Sequence, residues 1–253
     1  MIQLKNAQEL AKMRRACQIS AEALKLGGRS IEAGMTTADL DKIIYDYIKR
    51  HGARPNFKGL YGFPGTACIS INDEVIHGLP SHSRQIRPGD IVSIDTGAAI
   101  NGFNGDNACT FPCGKVDIEA QRLMDVTKES LHRGIAAAVA GNRVGDIGHA
   151  VQSYVEENGF SVVRSFVGHG VGKELHEDPE VPNYGHAGHG VRLVNGMTIA
   201  IEPMVNQKHH SVKTLSDGWT VVTADGGLAA HFEHSIAILS GGPEILTIGW
   251  EEP

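Results

Sequence analysis

The sequence predicts an α+β fold in which an antiparallel sheet and its helices form two halves related by a pseudo-twofold axis. Three observations carry that prediction. Residues 33–52 align without gaps with residues 140–159 at an offset of 107, and residues 86–95 align with 193–202 at the same offset. Apolar strand-like runs bunch before and after long helical segments, which favours an antiparallel sheet over a doubly wound parallel one. Short turn signals join several of those runs as hairpins.

The elements follow in order. The chain opens on an amphipathic helix, with Leu4, Leu10, Met13, Cys17 and Ile19 near helical spacing. AGMTTADLDKIIYDYIKRHG (33–52) is a second helix, with apolar residues every three or four positions and Gly52 at its C-terminal side. TACISI (66–71) reads as a strand, followed by the turn cluster Asn72, Asp73 and Glu74 and a second run through Val75, Ile76, His77 and Gly78. IRPGDIVSID (86–95) is a glycine turn, an apolar strand and a carboxylate. Residues 98–100 and 107–111 flank Asn101-Gly102, a strong hairpin signal, with Asn104-Gly105 as a competing turn.

The second half repeats the pattern. AGNRVGDIGHAVQSYVEENG (140–159) matches the earlier helix at Ala140, Gly141, Asp146, Ile147, Val151, Tyr154, Val155 and Gly159. LVNGMTIAIE (193–202) repeats glycine, strand and carboxylate, so Glu202 takes the place of Asp95. Residues 221–223 and 236–239 flank Asp225-Gly226-Gly227, which reads as another hairpin. The expectation is one catalytic domain over residues 1–253, with halves of roughly 10–115 and 116–245.

Composition narrows the function. With 41% hydrophobic and 21% charged residues the chain has the make-up of a soluble globular protein. A net charge of −6 argues against a nucleic-acid binder with a basic surface. The N-terminus has no apolar run long enough for a signal peptide or membrane span, so a cytoplasmic protein without membrane contact is expected. Cys17, Cys68, Cys109 and Cys113 form no CxxC pair and are expected as free thiols.

The candidate ligands are Asp95, Asp106, His169, Glu202 and Glu233, each in or beside a strand-like run or a glycine turn. A twofold axis between Asp95 and Glu202 would bring both carboxylates together, and both follow strongly apolar runs. Buried carboxylates at close range are costly unless a cation or metal pairs with them. Four carboxylates and one imidazole make a hard donor set, which suits Mn, Fe, Co or Zn. Its charge calls for two divalent ions, an arrangement that polarises a carbonyl and readies a nucleophilic water.

GHGVGKELHEDP (168–179) poses a narrower question, because His169 and His176 are seven positions apart. A helix would separate them by about 10 Å along its axis, and a strand would point them to opposite faces. HExxH fails here, since no second histidine follows His176-Glu177 and Pro179 would break the helix. Local geometry leaves open whether both, one or neither holds a metal.

Seven segments, SINDEVIHG (70–78), SIDTG (93–97), GDNACT (105–110), GHGVG (168–172), LHE (175–177), AIEP (200–203) and FEH (232–234), resemble in order the motifs of the methionine aminopeptidases. The resemblance spans nearly the whole chain. It implies a pita-bread fold, a curved antiparallel sheet backed by helices, and in length the chain is similar to the short bacterial type I form. It implies removal of the initiator methionine from nascent polypeptide N-termini with a small second residue. It implies two divalent metal ions (Co, Mn, Fe or Zn), with Asp95, Asp106, His169, Glu202 and Glu233 as ligands, Asp106 and Glu233 bridging, and Glu202 also moving protons. His77 and His176 would bind and polarise substrate without binding metal. Phe63, Cys68 and Trp219 would form the methionine pocket, with Leu60, Tyr61 and Leu175 as secondary candidates. A monomer is expected, with transient ribosome contact left open.

His186, His189, His209 and His210 are read as loop residues, and His234 as facing away from its ligand neighbour Glu233. Nothing assigns a redox role to Cys109 or Cys113. Two other readings stay open. A pita-bread relative that cleaves Xaa-Pro peptides would share the five ligands, although such relatives usually carry a sizeable extra N-terminal domain. A non-enzymatic pita-bread binding protein would typically have lost ligands.

Overall fold

The computed structural model describes residues 2–250. Its helices are α1 (Ala7–Arg29), α2 (Thr37–Arg50), α3 (Ile118–Ala137) and α4 (Val144–Glu157). Its strands are β1 (Arg54–Pro55), β2 (Ala67–Ile71), β3 (Glu74–Ile76), β4 (Ile91–Ile100), β5 (Phe103–Pro112), β6 (Ser161–Val162), β7 (Gly168–Gly170) and β8 (Glu177–Val181), then β9 (Thr198–Ile201), β10 (Met204–Asn206), β11 (Val212–Thr214), β12 (Val221–Thr223), β13 (Ala229–His231), β14 (Glu233–Leu239) and β15 (Gly242–Ile245).

Nine strands form one sheet, along β1-β4-β5-β14-β9-β7-β8, with β2 also on β4 and β15 also on β14. Two three-stranded sheets, β13-β10-β6 and β11-β12-β3, complete the fold, and every pairing is antiparallel. The centre of the large sheet is the β5–β14 pair, where Glu233 lies opposite Ala108 and His234 opposite Asn107. This seam joins the two halves.

The repeat read from the sequence is a structural repeat. Helices α2 and α4 coincide at both ends under the same offset. Asp39 and Asp146 each accept from the backbone N–H three residues back, as the reaching residue of a capping box does. Gly34 donates to Ile86 O and Gly141 to Leu193 O, again at equivalent positions. The isolated bridges Thr36–Gln85 and Arg143–Arg192 match in the same way. Glycines 34, 52 and 89 and their counterparts 141, 159 and 196 all have positive φ. Local turn and cap chemistry has therefore preserved the backbone path while most side chains differ.

Two hairpin expectations had opposite outcomes. The turn between β4 and β5 is Asn101-Gly102, since Ile100 pairs with Phe103, and φ values of 55° and 78° allow the I′ turn that matches strand twist. Asn104-Gly105 lies inside β5. The turn at 225–227 forms, but it does not join paired strands. β12 pairs with β11 and β3, whereas β14 pairs with β5, β9 and β15. The reason is β13, which leaves the turn and pairs with β10, handing the chain from one small sheet to the other.

The helices cover one face of the large sheet. Ile19, Leu24, Leu40 and Ile44 pack with Ile69, Ile91 and Ile94 in the first half, and Leu123, Leu131, Ile147 and Val151 pack with Ile199, Ile201 and Ile236 in the second. Each such side chain contributes roughly 1.5–3 kcal/mol by leaving water. At Gly105 the backbones of α1 and β5 come close, for a Cβ there would stand 2.5 Å from the Cys17 backbone. Gly105→Ala must push α1 outward. It should destabilise the fold by about 1–3 kcal/mol or more, read as a lower urea midpoint at unchanged m-value.

Candidate metal centre and substrate pocket

Strand alternation carries the acidic side chains to the sheet face away from the helices. Ile94 and Ile201 belong to the helix-side core, so their neighbours Asp95 and Glu202 point the other way. Gly105 touches α1, and Asp106 points away from it. His234 turns to the helix side, where Nδ1 meets Thr247 Oγ1 at 2.8 Å and the ring stacks on Trp250, so Glu233 faces the acidic side.

His169 enters this face from β7, between β8 and β9. The strand fits there because both neighbours of His169 are glycines. A Cβ at Gly168 would lie 2.4 Å from Ala200 O, and one at Gly170 would lie 2.2 Å from Asp178 O. The Nδ1–H donates to Gly170 O at 2.9 Å, which frees Nε2 for the carboxylates. That Nε2 stands 3.7 Å from Asp106 Oδ2 and 3.5 Å from Glu202 Oε1. Asp106, His169 and Glu233 form the tightest group, each offering a ligand atom within 4.8 Å of the others.

The electrostatics of this cluster are unfavourable without a cation. Burial raises the Asp95, Glu202 and Glu233 carboxyls well above their usual range, and the charge of Asp106 raises all three further. Burial lifts Asp106 itself to about 7, against the lowering effect of a backbone N–H at Asn107. Among the described residues, the only basic groups within ion-pair distance are His169 and His231. Burial drives these imidazoles to about 4 and about 3, so both are neutral at pH 7. Asp95 Oδ1, Asp106 Oδ1 and Glu233 Oε1 are buried without a hydrogen-bond partner. Oxygens left unpaired at such cost are what a divalent ion would satisfy, and one neutral imidazole among carboxylates fits that donor chemistry.

A cavity of about 200 Å³ opens beside the cluster. Phe57, Phe63, Cys68 and Leu175 form its apolar wall, and Trp219 closes it edge-on to Phe63 at 5.1 Å between centroids. Leu60 and Tyr61 complete the lining. Cys68 pairs across the strands with Asp95, so pocket and acidic cluster share a wall. Burial and the Asp95 charge push the Cys68 thiol well up, which keeps it a neutral, soft surface.

His77 and His176 both line this cavity. His77 follows β3 at a φ of 59°, a left-handed value that a non-glycine residue holds only where its surroundings impose it. His176 precedes β8, its ring 4.5 Å from that of His169 and nearly perpendicular to it. Burial lowers the pKa of both, His77 to about 4. A turn between two short strands thus brings together the histidines that neither a helix nor a strand could.

Every sequence-predicted residue lies in the cluster or at the cavity. The loop histidines His186, His189 and His209 are exposed. Two residues escaped the sequence reading. Phe57 lies in a segment without periodicity. His231 is fully buried, with Nε2 3.7 Å from Glu202 Oε2, and only its spacing of two from Glu233 signalled a shared strand face.

The raised Asp106 pKa has a consequence for stability. Between the unfolded value of 3.8 and the folded value of about 7, the folded chain keeps a proton that the unfolded chain releases. Stability of the metal-free protein should therefore fall as pH rises through that window. Thermal unfolding at pH 5.5 and pH 8 should show this decline, Asp106→Asn should make it shallower, and excess Mn should raise Tm more at pH 8 than at pH 5.5.

The pattern common to metallopeptidase family M24 matches residues 11–240. A methionine aminopeptidase of Clostridium perfringens is 55% identical over 98% of this chain and 99% of its own length. Methionine aminopeptidase 1 of Bacillus subtilis is 50% identical, with 98% and 99% covered. The crystal structure of the methionine aminopeptidase of Thermotoga maritima superposes with a TM-score of 0.96 at 45% identity, covering 98% of this chain and 99% of that one. A prolidase from Pyrococcus horikoshii shares the fold at a TM-score of 0.78 and 22% identity, over 96% of this chain and 63% of its own. With its pita-bread fold and its acidic cluster, the chain belongs to metallopeptidase family M24 and, within it, to the methionine aminopeptidases.

Proposed function

We propose that this enzyme removes the N-terminal methionine of nascent polypeptides with two divalent ions held by Asp95, Asp106, His169, Glu202 and Glu233. The observation that carries the reading is the wall shared by the buried carboxylates and the apolar cavity, where Cys68 pairs with Asp95. A methionine side chain seated against Phe63, Cys68 and Trp219 would bring its amide to the cluster. A thioether suits that soft aromatic lining. Ions of Mn, Fe, Co or Zn held there would polarise the scissile carbonyl and acidify the attacking water. Asp106 and Glu233, at the centre of the seam, would supply donor atoms to the ions together with Asp95, His169 and Glu202 around them.

The chain's own groups divide the remaining work. Glu202, whose burial makes its carboxylate more basic, would take a proton from the attacking water and return it to the leaving amine. His77 and His176, neutral at pH 7, hydrogen-bond the substrate amide and stabilise the oxyanion that forms. A narrow site beyond the pocket would favour small second residues. The substrate amine must be free, so any formyl group is removed first. This reading makes the enzyme a cytoplasmic monomer acting on nascent chain ends. No helix among the described residues is long and apolar enough to cross a membrane.

The test is hydrolysis of Met-Ala and Xaa-Pro peptides by metal-depleted protein titrated with Mn, Fe, Co and Zn. Met-Ala turnover restored by metal is expected, and a preference for Xaa-Pro would overturn the reading. Glu202→Gln should abolish turnover. His176→Ala should keep its metal while kcat falls roughly 10²–10⁴-fold; loss of metal in that variant would refute the division of labour.

A further inference from the structure

Among the described residues Lys5 is the only lysine or arginine that is buried. It lies in the segment before α1, where a lysine would ordinarily reach solvent. Its ammonium pairs with Glu177, and the two side chains are 3% and 5% exposed. Burying two charges needs a counterweight, and replacing such a pair by apolar residues is often neutral or stabilising. Fold stability alone is thus a weak reason for its presence.

The pair sits at the back of the turn that presents His176. The Glu177 Oε1 accepts from the Glu174 N–H at 3.2 Å, inside that turn. Gly172 packs directly on the pair, for a Cβ there would lie 2.4 Å from Lys5 Cε and 2.7 Å from Glu177 Oε1. Lys5 is itself fixed, its N–H donating to Gly196 O at 2.7 Å and its ammonium to Gln3 O at 3.1 Å. Two further anchors hold the same turn. Asn104 Nδ2 donates to Gly172 O and Lys173 O at 3.0 and 2.9 Å, and Lys173 Nζ pairs with Glu9 at 2.9 Å.

His176 needs such support. Among the described residues its ring contacts His169 edge-on and Tyr61 face to face, with no hydrogen bond to fix it. Its orientation comes from its backbone. Glu177 is the next residue and opens β8, so its side chain points opposite to that of His176. Pinning Glu177 inward holds His176 outward, over the cavity and the carboxylates.

We propose that the buried Lys5–Glu177 ion pair is a positioning device for His176, by which the N-terminal segment holds the catalytic turn from behind. The proposal rests on the substrate-binding role given to His176 above. Displacing a catalytic group by about 1 Å costs on the order of 100-fold in rate.

Lys5→Met alone leaves a buried carboxylate unpaired and is expected to unfold easily, so the deciding variant is the apolar pair Lys5→Met/Glu177→Met. It should fold with a Tm at or above that of the parent chain and bind metal unchanged. Its kcat on a Met-Ala peptide should fall roughly 10–100-fold while KM stays within about twofold. Introduced into His176→Ala, the same two substitutions should change kcat no further, because they act through that ring. The ¹⁵N imidazole signals of His176 should move in the paired variant and those of His77 should not. Unchanged kcat, an equal loss with and without His176, or unmoved His176 signals would each overturn the proposal. If the His176 signals move but His176→Ala keeps full activity, positioning stands and the catalytic role of His176 fails.

Discussion

Four carboxylates crowded on one sheet face, Asp106 and Glu233 buried and Asp95 and Glu202 half-buried, are the constraint that the rest of the structure serves. Burial raises every one of their pKa values, the charge of Asp106 raises those of Asp95, Glu202 and Glu233 further, and the imidazoles beside them are too strongly desolvated to carry a compensating charge. Such a cluster persists only on a scaffold that does not relax. The ten-residue strands β4 and β5 supply it, locked in an unbroken ten-pair register and sealed from behind by α1. The hydrophobic burial that stabilises the helix side thereby offsets the unfavourable electrostatics of the other side. Divalent ions held there would turn that repulsion into affinity, because the oxygens without partners are those an ion would use.

The substrate side is built differently. Its parts come from turns and short strands: His77 after β3, His176 before β8, Phe63 and Tyr61 around a single 3₁₀ turn, and Trp219 in a loop. Elements this short have little intrinsic stability, so their geometry depends on what grips them. For His77 the surroundings impose a left-handed backbone. For His176 the grip is Asn104, Glu9 and the Lys5–Glu177 pair. The division is physical: the acidic cluster sits where repulsion must be resisted, and the cavity groups sit on segments that open to one side of it.

What was legible in the sequence follows the range of the interactions. The helix ends and their repeat were readable because they rest on contacts within a few residues, such as the Asp39 and Asp146 caps and glycines at positive φ. The Asn101-Gly102 turn was readable for the same reason. The turn at Asp225 was recognised correctly and its partners were not, since a turn signal says that the chain bends and not which sheet receives it. The five candidate ligands stood out because their neighbours are unusually apolar or glycine-rich. Phe57 and His231 carry no such local mark, and Lys5 looks like any N-terminal lysine until Glu177 is brought to it.

The sequence by itself determined the duplicated helix-and-strand plan, the acidic donor set and, through motif order, the family. These are written in residue types and spacings, which chain geometry converts directly into faces and turns. Only the tertiary structure decided how His169 and His176, seven positions apart, come within 4.5 Å between rings, one beside the carboxylates and the other on the cavity wall. It also decided that Lys5 is buried against Glu177, and that Cys68 joins the pocket to the acidic face. Each of these outcomes depends on segments distant in sequence packing together, and no local periodicity encodes such a meeting.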